Sequence, residues 1–120
     1  MTMMSYIYGL HAPDDETIMY AGKTHHPRKR LVEHIAAARD GVSRPVYDWI
    51  RGLLLNGQMP TMVILEDVTS GGETRREAAW IKHLRSQNPL LTNAPHGRLG
   101  GRKLLPDQPV IVRWEPNIRP

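Results

Sequence analysis

The pattern of hydrophobic and polar residues begins with two short alternating segments, residues 5–11 and 17–22, separated by a stretch that contains proline and aspartate. Alternation with a period of two on both sides of such a stretch predicts an antiparallel β-hairpin. If the turn is centred on Asp14, Tyr8 lies opposite Tyr20. Directly paired residues of a hairpin project to the same face. The pattern therefore predicts two phenols side by side.

A helical period follows the hairpin. Pro27 suits the first turn of a helix, and Gly41 is a typical stop after a last residue near Asp40. A second helix opens at residues 43–45 and ends at the Asn56-Gly57 pair, with apolar residues at helical spacing. We interpret Trp49 of this helix as a core residue.

An apolar, branched segment from Thr61 to Glu66 predicts a third strand, and Ser70 with Glu73 fits a capping box for a third helix. Residues 110–114 are compatible with one more short strand. The resulting fold class is α+β: a small three-stranded mixed or antiparallel sheet flanked by about three helices, in the order β-β-α-α-β-α. We place one domain at residues 1–95 and a basic C-terminal extension, packed on it or trailing it, at 96–120.

Composition narrows the classes of protein. The 120-residue chain has no cysteine, which excludes a disulfide framework, thiolate zinc sites and a cysteine nucleophile. No apolar run approaches the roughly 20 residues of a membrane span, and the N-terminus lacks a signal peptide pattern. We therefore expect a soluble, intracellular (cytoplasmic) protein without a membrane partner.

Charge is unevenly distributed. The net charge is +4, yet the first 22 residues carry only acidic groups, whereas residues 23–51 and the C-terminal tail are basic. A polyanionic partner and an ordinary basic surface explain the net charge equally well. Two basic regions around a neutral middle favour a groove that binds nucleic acid.

One carboxylate lies in an unexpected place. Glu77 precedes Trp80, Ile81 and Leu84 by three, four and seven residues, so it lies on or beside the buried stripe of the third helix. A carboxylate there needs a partner. That partner is either a cation such as Arg30 or a metal ion, because Mg²⁺ is often held by one carboxylate with waters and substrate phosphate.

These residues together resemble the GIY-YIG endonuclease family over about residues 5–95. The two signature tripeptides correspond to Tyr6-Ile7-Tyr8 and Tyr20-Ala21-Gly22. The remaining matches are Lys23, Arg30, His34, Glu77 ahead of Trp80-Ile81, and Asn93. Each tripeptide is weak evidence alone, but the ordered set is specific.

Two departures alter packing without removing a reactive group. Tyr6 replaces the leading glycine of the first signature, and Ala21 replaces the central isoleucine of the second. Because neither change removes a reactive group, we expect activity to survive. Some members carry a second histidine after the first helix; this chain has Ser43 or Arg44 there, so it has no histidine to fill that role.

The resemblance implies hydrolysis of DNA phosphodiester bonds with one Mg²⁺ or Mn²⁺ ion per active site. It assigns metal binding to Glu77, phosphate binding to Arg30 and water activation to Tyr8, whose pKa, near 10 in a free phenol, would have to be depressed or assisted. Lys23 and the metal would favour the phenolate. The full expected catalytic set is Tyr8, Tyr20, Lys23, Arg30, His34, Glu77 and Asn93.

The expected DNA-binding residues are Lys23, Arg28, Lys29, Arg30, Arg44, Arg98, Arg102 and Lys103. The alternative is a catalytically weak DNA- or RNA-binding module of the same fold, and RNA is not excluded as the substrate. No separate recognition domain is visible, so we expect weak or structure-based selectivity, or targeting through a homodimer or a recruiting protein partner.

Overall fold

The computed structural model describes residues 4–69 and 71–94, together with the backbone of residues 112–113. The elements follow the expected order, with β1 at Met4–Ala12, β2 at Asp15–Thr24, α1 at Pro27–Arg39 and α2 at Pro45–Leu55. They continue with β3 at Thr61–Thr69, α3 at Glu73–Gln87 and β4 at Val112–Arg113. Within the described residues, no helix has the length and apolar character needed to cross a bilayer.

The α+β prediction is confirmed, and every described strand pair is antiparallel. The sheet order is β2-β1-β3-β4, so the hairpin lies at one side and β3 pairs with β1. The short β4 adds a fourth strand to the predicted three, at the place where a strand at 110–114 was expected. The division of the chain at residue 95 stays a prediction.

Each face of the sheet has its own hydrophobic core. On one face, side chains of β1 and β3 pack with the inward stripes of α1 and α2, including Leu31 and Ile50. On the other face, Ile7 and Ala21 pack with Trp80 of α3. Because successive residues of a strand point to opposite faces, the central strands are apolar on both sides and the helices form two outer layers.

Two local predictions are wrong. Tyr8 pairs with Gly22 and Tyr20 pairs with Leu10, because an irregularity between Leu10 and Ala12 shifts the register near the turn. The tyrosines are therefore diagonal neighbours on one face rather than direct partners. Trp49 is only half-buried, at the edge of the core.

The predicted capping box of α3 is also wrong. The N-cap is Gly72, not Ser70, so Glu73 is the first residue of the helix rather than the fourth position of a box. The Glu73 carboxylate still accepts a hydrogen bond, from the backbone N–H of Gly71 (2.8 Å). This contact places a negative charge at the positive end of the helix, which stabilises its first turn.

The outer edge of β2 is covered by the chain that follows α3. Asn93 forms two hydrogen bonds with the backbone of Ala21: Oδ1 accepts from its N–H (2.9 Å) and Nδ2 donates to its carbonyl (2.7 Å). Thr92 N–H donates to the carbonyl of Met19 (2.7 Å). These bonds satisfy edge groups that would otherwise pair with water or another chain. Asn93 thus holds the strand that carries the second signature tripeptide.

We predict that Asn93→Ala lowers the free energy of unfolding by about 1–3 kcal/mol, because it leaves both polar groups of Ala21 unpaired by protein. Hydrogen exchange of the Ala21 amide should accelerate in the same variant. The matched control is Asn56→Ala, which removes an exposed amide bonded only to the Gly52 carbonyl (3.2 Å). Equal effects of the two substitutions in chemical denaturation would contradict this role for Asn93.

Candidate active site

The site is built around the Tyr8 ring, which is fully buried and lies directly over Gly22 of β2. A Cβ placed on Gly22 would be 2.5 Å from the Tyr8 hydroxyl oxygen and 2.7 Å from Cζ. No side chain larger than hydrogen fits there without moving the ring. The glycine of the second signature is therefore required by the tyrosine of the first.

The Tyr8 hydroxyl and His34 Nε2 lie 2.6 Å apart, which joins β1 to α1. His34 is fully buried, and desolvation followed by the charge of Arg30 lowers its pKa to about 3. The imidazole is therefore neutral near pH 7. We assign the phenol as donor and Nε2 as acceptor, which leaves the hydrogen on Nδ1. Nδ1 is buried without a hydrogen-bond partner among the described residues.

Three aromatic rings surround this imidazole. The Tyr20 ring lies 5.2 Å from His34 and 6.3 Å from Tyr8, measured between ring centroids. Tyr47 of α2 packs 5.8 Å from His34 on another side. Tyr47 was absent from the predicted site, although its position three residues before Ile50 places it on the apolar stripe of α2. The rings fix the imidazole by contact, as packed aromatic side chains do.

The pKa of Tyr8 is raised well above its ordinary value, chiefly by burial and then by the nearby Tyr20, while Arg30 opposes the rise. Burial also raises the pKa of Tyr20, with Arg30 again lowering it and Glu77 raising it. In the protein alone the Tyr8 pKa is thus raised rather than depressed, because the cost of removing a phenolate from water outweighs the effect of the guanidinium. Of the two expected routes to water activation, a depressed pKa or assistance by another group, the structure favours assistance. Both phenols are protonated near pH 7.

Glu77 adds a negative charge to the site from α3, on the other face of the sheet from α1. Its carboxylate, on α3, is close enough to raise the pKa of both Tyr8 and Tyr20. Thr74, three residues earlier on the same helix, accepts a hydrogen bond from Lys23 Nζ (2.6 Å). Lys23 therefore faces α3. The positive charge that lowers the pKa of the two phenols is that of Arg30. The Glu77 charge and the two phenols therefore occupy one electrostatic environment at β2.

A partly buried ion pair fixes the rotation of α3, and it was not predicted from the sequence. Glu66 of β3 accepts hydrogen bonds from Arg76 Nε (3.0 Å) and Nη2 (2.8 Å), and from the indole N–H of Trp80 (2.8 Å). Arg76 directly precedes Glu77, so this forked contact also orients the site carboxylate. Glu66 and Asp67 follow an apolar strand segment, which indicates that a carboxylate there needs a partner. Only the tertiary structure shows that the partner of Glu66 is Arg76.

The predicted DNA-binding residues are only partly within the described chain. Arg28 and Lys29 are exposed in the first turn of α1, and Arg44 is exposed at the N-cap of α2. Arg30 is half-exposed and forms a surface ion pair with Glu33 (3.4 Å), an interaction of little energetic weight. Three further candidates, Arg98, Arg102 and Lys103, lie outside the described residues. The roles of all these residues stay predictions.

The arrangement fits a metal ion held by few protein ligands. Across the residues described, no cluster of three or more histidine, aspartate or glutamate side chains could hold a metal. Glu77 supplies one half-buried carboxylate beside two phenols. A hard cation that keeps several waters and takes substrate oxygens needs only such a carboxylate.

Comparison with known families agrees with this geometry. The family model described as the GIY-YIG catalytic domain matches residues 4–90 of the 120-residue chain. The chain belongs to the GIY-YIG family. GIY-YIG domains are nuclease domains that act on nucleic acid and generally depend on a divalent metal. No curated protein and no solved structure gave a significant match.

We predict that Gly22→Ala destabilises this GIY-YIG domain by about 1–3 kcal/mol, because the added methyl group overlaps the Tyr8 phenol. The control is Gly52→Ala in α2, where a Cβ meets no atom within 4 Å. That change should stabilise the protein by about 0.5–1 kcal/mol, as alanine does in an exposed helix. Chemical denaturation of both variants measures the difference, and a neutral Gly22→Ala would contradict the packing described.

We also predict that acid destabilises the protein through His34. Its pKa is about 3 in the folded state and near 6.5 in an unfolded chain, so the unfolded state binds more protons between these values. Stability is thus fully present above pH 6.5 and falls as the pH is lowered towards 3, by at most about 1.4 kcal/mol per unit. Denaturant unfolding at several pH values measures the slope.

The variant His34→Gln should flatten this slope, since glutamine does not titrate. The matched comparison is His26→Gln, which removes an exposed histidine at the N-cap of α1. If His34→Gln retained the same slope as His26→Gln, the buried imidazole would not be the source of the acid sensitivity.

Proposed function

We propose that this GIY-YIG domain is a divalent-metal-dependent endonuclease that hydrolyses DNA phosphodiester bonds. The observation that carries the proposal is the Tyr8–His34 hydrogen bond, with Arg30 and Glu77 both acting on the pKa of the same phenol. A proton-accepting relay, a phosphate-binding cation and a metal-binding carboxylate are what metal-assisted hydrolysis of a phosphodiester needs.

Tyr8 and His34 would activate the attacking water. Neutral His34 Nε2 accepts the phenolic hydrogen, so the lone pairs of the Tyr8 oxygen are directed away from the imidazole and would accept a proton from the attacking water. As the water oxygen bonds to phosphorus, the bond from phosphorus to the leaving oxygen breaks. The water proton would pass to the Tyr8 oxygen and the phenolic hydrogen to Nε2. Burial and the charge of Arg30 lower the pKa of His34 in the protein alone. The negative phosphate, once bound, would offset the Arg30 charge and so favour the imidazolium that this transfer forms. Neither tyrosinate nor a depressed phenol pKa is required.

Arg30 would bind the scissile phosphate. Its guanidinium is half-exposed and lies near both phenols. A guanidinium can donate two parallel hydrogen bonds to phosphate oxygens, which fixes the phosphorus relative to the Tyr8 oxygen better than a lysine would. The rings of Tyr8 and Tyr20 lie on the buried side of this guanidinium.

Glu77 would hold the Mg²⁺ or Mn²⁺ ion. When bound, the ion neutralises charge that develops on the phosphate and the leaving oxygen. The Glu66–Arg76 contact would keep the Glu77 side of α3 turned towards β2. Asn93 would contribute by holding β2, and Lys23 by joining β2 to α3.

The test is conversion of supercoiled plasmid to nicked and linear forms by the full chain with Mg²⁺, Mn²⁺ or EDTA. We expect cutting that requires the metal and falls about 100-fold or more in Glu77→Gln, since loss of the metal removes several kcal/mol of transition-state stabilisation. The control Glu73→Gln removes a carboxylate one turn earlier on α3. It should retain most of the cutting.

Metal-independent cutting, or cutting that survives in Glu77→Gln, would overturn the assignment. Salt-dependent binding of DNA without any cutting would instead identify a binding module. Running the same assay on a labelled RNA of matched sequence separates the two nucleic acids as substrates.

A further inference from the structure

A groove outside the proposed reaction site lies between the start of α1 and the adjoining ends of β1 and β3. Its volume is about 880 Å³, within the usual range of pockets that hold small ligands. Tyr6 and Ile64 line it from the sheet and Val32 lines it from α1. Tyr6 precedes Tyr8 by two residues on the same face, so the groove begins about 7 Å from the catalytic phenol along β1.

Tyr6 presents an aromatic surface in this groove. The ring is half-buried and packs against the core shared with α1, so one part of it is supported while another part lines the groove. Asp67 is its direct cross-strand partner on β3, and paired side chains lie about 5 Å apart at Cβ. Asp67 is exposed and also lines the groove. A flat ring beside a hydrogen-bond acceptor suits a planar ligand that carries N–H groups.

The opposite wall is cationic. Arg28 and Lys29, in the first turn of α1, line the same groove and are exposed. Neither has a salt bridge with any residue in the described ranges. They directly precede Arg30, which would bind the scissile phosphate in the proposed function. The groove therefore has the Tyr6 ring on one side and, on the other, two cations next to the arginine that is proposed to bind phosphate.

We propose that the groove takes an unpaired nucleobase next to the scissile phosphate, with the base stacked on Tyr6 and its backbone on Arg28 and Lys29. The inference rests on the proposed function and names its substrate class. A base in an intact duplex has both faces covered by its neighbours, so only an unpaired or displaced base can stack on the ring. The domain accordingly prefers DNA with unpaired nucleotides to continuous duplex.

The experiment uses the full chain with Glu77→Gln, in EDTA, so that binding is measured without cleavage. Two duplexes of one sequence carry 2-aminopurine, in one as a single unpaired nucleotide and in the other within a base pair. We expect about tenfold tighter binding of the unpaired probe and quenching of its fluorescence on binding, because stacking on an aromatic ring is favourable. Equal affinity for the two probes, without selective quenching, would overturn the proposal.

Substitution at Tyr6 in the same background locates the contact. Tyr6→Leu keeps an apolar side chain but removes the ring, and should abolish the preference and the quenching. Tyr6→Phe restores the ring and should restore both. Preference that persists in Tyr6→Leu would place the base elsewhere and overturn the groove assignment. The comparison of the two probes needs no change at Tyr6, so it decides the matter even if Tyr6→Leu unfolds.

The two proposals fail in different ways. If the nuclease proposal is wrong, the wild-type chain shows no metal-dependent cutting of plasmid. If the groove proposal is wrong, cutting is present but the unpaired probe gains nothing in affinity. In that second case the substrate preference proposed here is refuted.

Discussion

The hydrogen bond between the Tyr8 hydroxyl and His34 Nε2 (2.6 Å) is the contact on which the site depends. It joins β1, an inner strand of the sheet, to α1 in the buried core, where an unpaired phenol or imidazole would be unfavourable. The bond can form only because Gly22 leaves room for the Tyr8 ring. Packing therefore determines the protonation states: a neutral imidazole and a protonated phenol.

Around this bond the fold brings charge from both layers to β2. Arg30 reaches the phenols from α1, and Glu77 reaches them from α3. The two charges have opposite effects on the phenol pKa, and burial exceeds both. This small domain thus holds a cation, a carboxylate and two phenols in one electrostatic environment. It does so because helices on both faces of the sheet direct charged side chains towards β2.

Supporting contacts hold the elements that carry these groups. Asn93 clamps the backbone of Ala21 at the open edge of β2, and Glu66 receives Arg76 and Trp80 from α3. The first contact matches a residue expected from the sequence pattern, whereas the second involves residues without any motif. A catalytic arrangement requires such support, because reacting groups must be held to a fraction of an ångström.

The sequence by itself determined the element order and the apolar stripes of the strands and helices, and its resemblance to a family supplied the ordered set of tyrosine, arginine, histidine, glutamate and asparagine. Periodicity and turn residues are local properties, so they are legible without a structure. The tertiary structure decided the Tyr8–Gly22 register, the N-cap of α3, the packing of Tyr47 on His34 and the direction of the Tyr8 pKa shift. These depend on a strand irregularity and on burial, and both arise only when distant segments pack together.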